Sequence, residues 1–78
     1  MPVVFRHKGF RFHFFSNEGI EPRHVHVRGR GGQAKFWLYP VVHLESSNGL
    51  NAQTLRELSE VVEQNVELIE RAWDDHFG

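Results

Sequence analysis

The residues best suited to chemistry in this chain are His24 and His26, separated by Val25 in a stretch that also holds Arg23, Arg28 and Arg30. On an extended strand the side chains at i and i+2 share a face, with Cα atoms roughly 6.6 Å apart. Two imidazoles so placed can trade a proton, share a metal ion or grip an anion, because histidine titrates nearest to neutral pH. Three chemistries are open. Metal-independent RNA scission needs a base for the 2′-hydroxyl, an acid for the leaving oxygen and cations for the charged phosphorane. His24 and His26 are then the catalytic pair of an endoribonuclease, and Arg23, Arg28, Arg30 and Lys35 its nucleic-acid contacts, with Phe and Trp rings free to stack on bases. This reading requires no cofactor. A zinc site is the second: His24 and His26 supply two ligands, and a third comes from Glu18, Glu21, His13 or His43, with Glu21 the carboxylate assigned to it. In the third, the histidines only shape the docking surface of a non-catalytic protein- or nucleic-acid-binding module.

The charge distribution favours a polyanion at the histidine end. Arg6, Lys8, Arg11, Arg23, Arg28, Arg30 and Lys35 face only Glu18 and Glu21 in the first half of the chain. The second half sets Arg56 and Arg71 against Glu45, Glu57, Glu60, Glu63, Glu67, Glu70, Asp74 and Asp75. The net charge of −1 therefore conceals a dipole that suits RNA on one side and a basic partner on the other, unless the two halves pair internally. No cysteine is present, which removes disulfides and thiolate metal sites. The N-terminal segment lacks the apolar run of a signal peptide and nothing approaches membrane-spanning length, so a cytoplasmic location without membrane contact is expected.

These side chains must be held by one domain, residues 1–78, with a basic β-rich part (1–44) and an acidic helical part (51–77). Val3–Arg6 and Phe10–Phe15 are rich in strand formers and are joined by a turn at His7-Lys8-Gly9. Phe10, Phe12 and Phe14 alternate with Arg11 and His13, which puts His13 on the side away from the phenylalanines. Residues 16–22 read as a loop leading into a strand at His24–Val27. Arg28–Gly32 is a flexible turn, Gln33–Tyr39 the next strand, Pro40–Leu44 a short edge segment and Glu45–Gly49 another turn. From Asn51, a plausible N-cap, the pattern becomes helical: Leu55, Leu58, Val62, Val66, Ile69 and Trp73 form one apolar stripe. The expected fold is α+β, a small antiparallel sheet of three to five strands with a C-terminal helix across one face. Unbroken, that helix would be about 39 Å long, so it either kinks near Gln64-Asn65 or overhangs and needs a homodimer or partner to cover it. Trp37 and Trp73 are expected in the core.

Four stretches taken together resemble a family of small bacterial proteins known as the domain of unknown function DUF4160: Arg11-Phe12-His13-Phe14-Phe15-Ser16-Asn17-Glu18, Glu21-Pro22-Arg23-His24-Val25-His26-Val27, Ala34-Lys35-Phe36-Trp37-Leu38 and Arg71-Ala72-Trp73-Asp74-Asp75-His76-Phe77. Two positions depart from that pattern, His13 where an aromatic residue is expected and Tyr39 where an acidic one is. The resemblance implies a type II toxin-antitoxin-like pair in which this chain is the toxin, acting on RNA or translation through the His24-His26 patch. Its partner would be a small cognate antitoxin or regulatory protein that covers that patch.

Overall fold

The computed structural model describes residues 3–78; Met1 and Pro2, the first residues of the expected domain, lie outside them. Five strands, β1 (Val3–His7), β2 (Phe10–His13), β3 (His24–Gly29), β4 (Gly32–Trp37) and β5 (His43–Asn48), precede two helices, α1 (Ala52–Gln64) and α2 (Val66–Phe77). The sheet is antiparallel in the order β1-β2-β3-β4-β5, so each strand pairs with its neighbours in sequence. Two hairpins are closed by only two residues each. Lys8 and Gly9 (φ +49° and +84°) and Arg30 and Gly31 (φ +50° and +78°) all adopt positive φ, the type I′ conformation whose twist matches that of the flanking strands. The expected three-residue turn at His7–Gly9 and flexible loop at Arg28–Gly32 are therefore corrected: His7 pairs with Phe10, and Gly29 with Gly32.

The third correction concerns β5. The expected turn at Glu45–Gly49 is a strand up to Asn48, and the chain reverses before it, around residues 38–42. A uniformly exposed segment, His-Leu-Glu-Ser-Ser-Asn, carries no burial alternation to reveal it, and its strand geometry comes from pairing with β4.

Pairing aligns Phe5, Phe12, Val27 and Ala34 across four strands, and Val25 beside Phe36, on the side that meets the helices. Phe12, Val25, Val27 and Phe36 are buried there with Leu58, Val61, Val62, Ile69 and Trp73. The stripe read from the sequence is the buried one, apart from Leu55 and Val66, which are half-buried, and Val61, which joins it. Asn51 caps α1, its Oδ1 accepting the Thr54 N–H at 2.8 Å. The helix breaks where expected. Asn65 leaves helical geometry (φ −122°, ψ 20°), and its side-chain amide donates to the Val61 carbonyl at 2.8 Å. Each half is then about 18–20 Å long at 1.5 Å per residue. Either fits within a body of 33 × 25 × 19 Å, so the overhang does not arise. No helix among the described residues is long and apolar enough to cross a membrane.

Candidate functional site

The side of the sheet opposite the helices carries polar residues in rows that run across the strands. The first row aligns Arg6, Arg11, Arg28, Gln33 and Asn48 from β1 to β5. Three arginines thus stand on three adjacent strands, and among the described residues none of them is paired with an acidic side chain. Directly opposed residues have Cβ atoms about 4.5–5.5 Å apart, and like charges at that distance destabilise a sheet. The second row is His13, His26, Lys35 and Ser46, and the third His24, Trp37 and His43. A cleft lined by His13, Phe15, His26, Arg28, Lys35 and Ser46 lies between the first two rows. Phe15, about two-fifths exposed, stands edge-on to His13 and His26 with ring centroids 5.1 and 4.5 Å away.

At the far end of β3 the loop between β2 and β3 folds back over the histidines. A turn closed by the Glu21 N–H on the Glu18 carbonyl (3.0 Å) points the Glu18 carboxylate inward. Its Oε2 accepts from His26 Nε2 at 2.7 Å, and its Oε1 accepts the Phe15 N–H at 3.0 Å while lying 3.0 Å from His24 Nε2. His24 is fully buried although its register belongs to the open side, because Trp73 of α2 reaches round to it (5.0 Å) and Trp37 flanks it (5.5 Å). Its Nδ1–H donates to the Pro22 carbonyl at 2.8 Å. Burial alone would raise the Glu18 carboxyl, but the bonds from His26 and the Phe15 amide, with the His24 ring close by, outweigh it and hold the group below the usual carboxylate range. Burial lowers His26, against the opposing pull of Glu18, and burial followed by the neighbouring His26 lowers His13.

The residues singled out from the sequence are therefore distributed unevenly. His24 and His26 do come together, 5.1 Å between ring centroids, but His24 offers no exposed atom to a substrate. The carboxylate within reach of both Nε2 atoms is that of Glu18. Glu21 instead binds Lys35 Nζ at 2.8 Å, an arrangement that keeps its carboxyl low, and it lies 3.8 Å from the Nδ1 already committed to Pro22. Arg23 is paired with Asp74 of α2. Lys35 is held between Glu21 and the face of Trp37, and Trp37 is half-exposed rather than in the core. Arg30 sits at a hairpin tip over the Phe10 ring. His43 donates to the Val41 carbonyl. Only Arg28 of the expected nucleic-acid contacts stands in the unpaired row, and Arg6 and Arg11 complete it. The signal for them was present: Arg6 and Arg11 lie symmetrically about the Lys8-Gly9 dipeptide, so a two-residue hairpin places them opposite each other.

The domain of unknown function DUF4160 matches residues 9–74, most of the chain. The chain belongs to that family. The matched stretch contains Arg11, Arg28, Glu18, His24, His26 and Trp73, and leaves Arg6 and Phe77 outside. No curated protein and no solved structure matches the chain significantly.

Proposed function

We propose that the open face of the sheet binds single-stranded RNA, and that the chain is the RNA-directed member of a bacterial two-protein pair of toxin-antitoxin type. The observation that supports the first part is the row Arg6, Arg11 and Arg28, like charges opposed on adjacent strands and, among the described residues, in no ion pair with an acidic side chain. Such a row costs stability, and a polyanion laid along it relieves that cost while releasing its own counterions. Phe15 and the half-exposed Trp37 add faces and edges for bases to meet, which suits an unstacked single strand better than a duplex. The second part rests on family resemblance, and the partner would be a small protein covering the same face.

The arrangement favours binding over a two-histidine cleavage reaction. Both Nε2 atoms turn toward one carboxylate, and His24 lies behind two tryptophans, so the ring cannot act as acid or base on a ribose without the corner opening. The test is fluorescence anisotropy with a labelled single-stranded RNA across a salt series. Affinity should fall steeply with salt for the wild type. Arg11→Glu with Arg28→Glu should flatten the log–log slope by about 1.4, the two lost contacts at roughly 0.7 each for a single strand. Absence of binding at low salt, or a slope untouched by the double reversal, would reject the reading.

A further inference from the structure

The geometry points to a site for one divalent transition-metal ion of the zinc class, ligated by Glu18, His24 Nε2 and His26 Nε2 where the loop between β2 and β3 closes over the end of β3. One carboxylate oxygen and the two imidazole nitrogens lie within 4.8 Å of one another. Ligand atoms on a tetrahedral zinc at about 2.0–2.1 Å stand about 3.3 Å apart. The carboxylate already approaches both rings, its Oε2 at 2.7 Å from His26 Nε2 and its Oε1 at 3.0 Å from His24 Nε2, so a modest rotation of the Glu18 side chain and a few tenths of an ångström of opening bring one of its oxygens into a ligand position.

The orientation of His24 carries the argument. Its Nδ1–H is committed to the Pro22 carbonyl at 2.8 Å, so the neutral ring carries its lone pair on Nε2. That lone pair belongs to a fully buried side chain, has no hydrogen-bond partner and sits 3.0 Å from a carboxylate oxygen. In the neutral ring, two acceptors face each other. A proton on Nε2 would not relieve the contact well, because the ring does not point along a hydrogen bond to Glu18. A cation between them would convert the repulsion into two bonds. The Pro22 carbonyl already occupies the place that outer partners take around metal-bound histidine, fixing tautomer and ring orientation. His26 needs one adjustment: the proton that Nε2 now donates to Glu18 leaves that nitrogen and the ring takes one up at Nδ1, so the metal meets a free Nε2 lone pair with no net proton released.

The surroundings fit an ion of intermediate softness. Trp37 and Trp73 flank His24, Phe15 covers His26, and Lys35, paired with His26 across the strands, is tied to Glu21. Two imidazoles and one carboxylate, in a chain without cysteine, suit zinc, cobalt or nickel and disfavour magnesium and calcium. Three protein donors leave the fourth tetrahedral position to water. This site is independent of the RNA reading, which rests on the arginine row.

Chelator-treated, full-length protein should be titrated with zinc chloride by calorimetry, with magnesium chloride as control, and with cobalt(II) followed by visible absorption. Expected are one zinc per chain with submicromolar affinity, no magnesium binding, the intense bands of tetrahedral cobalt, and a melting temperature that rises with zinc. Glu18→Gln and His26→Gln should each weaken zinc on the order of a hundredfold, whereas His43→Ala with His76→Ala should leave it unchanged. Should a ligand variant fail to fold, the wild-type protein still decides: zinc must shift the His24 and His26 ring resonances and spare those of His7, His43 and His76. Lack of saturable zinc binding, affinity unmoved by Glu18→Gln, or resonance shifts confined to the other histidines would each overturn the assignment. None of these measurements contains nucleic acid, so loss of RNA binding by the arginine reversals and loss of zinc binding by Glu18→Gln report on separate claims.

Discussion

The two faces of the sheet are built by the same five strands, residue by alternate residue, yet they solve opposite problems. On the covered face Phe12, Val25, Val27 and Phe36 meet Leu58, Val62 and Ile69 with almost no exposure. On the open face Arg6, Arg11 and Arg28 hold positions that a sheet designed only for stability would fill with opposite charges. The difference separates what the fold needs from what it displays. His24 is the exception, since it belongs by register to the open face and by burial to the core, with Trp73 of α2 bridging the two. The helices therefore hold down one edge of the displayed surface as well as covering the other side.

Leu58→Ala should break the comparison from the covered side. Truncating a buried leucine costs about 2–5 kcal/mol, against the roughly 3–5 kcal/mol that a domain of this size usually commands. Chemical denaturation should show a chain close to unfolding in water. A midpoint near that of the wild type would mean that the helix stripe is not what closes the sheet. Trp73→Phe tests the bridge and should cost about 1–2 kcal/mol, the removed part of the indole being only one side of the His24 enclosure. Heteronuclear NMR should show the His24 ring perturbed and the amides around Arg28 unmoved; changes spread equally over both would show the faces to be coupled.

The arginine row should respond in the opposite sense. Arg11→Gln with Arg28→Gln is expected to leave stability within about 0.5 kcal/mol of the wild type, or slightly above it as like-charge repulsion is relieved. A loss beyond about 1 kcal/mol in denaturant titration would make those side chains structural. The smallest effect belongs to Glu57, whose carboxyl is held low by bonds from His7 and Lys8 at the exposed end of the first hairpin. With a lowered value in the folded state, any stability it lends is present above the ordinary carboxylate range and disappears as pH falls through the lowered value. Solvent screens that contribution, so Glu57→Gln and the wild type should have melting curves that run parallel from neutral pH to pH about 3. Curves that converge as the pH drops would indicate a stronger link between hairpin and helix.

Much of the fold is legible in the sequence because burial leaves periodicity behind. Phe10, Phe12 and Phe14 alternate, the stripe from Leu58 to Trp73 repeats at helical spacing, and Asn51 and Asn65 mark where that helix begins and breaks. β5 leaves no such trace, since its residues are exposed and its strand form is imposed by β4. In the candidate site, the approach of His24 to His26 follows from strand geometry alone. The arginine row requires the register, which depends on whether the first hairpin turns in two residues or three. Among four candidate third donors, Glu18 is distinguished only by the closing of the loop over residues 16–22, a conformation that no periodic pattern encodes. Arg23 and Lys35 look like free cations until Asp74 and Glu21 are placed beside them.

The strand order has a consequence in time. Because every strand pairs with one already made, the sheet can assemble hairpin by hairpin while the chain is still being synthesised, and local pairing of this kind closes quickly. The residues that cover it, in α1 and α2, come last. At about 5–20 residues per second, they are made a few seconds after the last strand, and until then Phe12, Val25, Val27 and Phe36 lack the partners that bury them in the folded chain. The interval is one in which a nascent chain is open to aggregation, and the excess of basic residues in the strand half, Arg6, Arg11 and Arg28 among them, gives two such chains like charge that opposes their association.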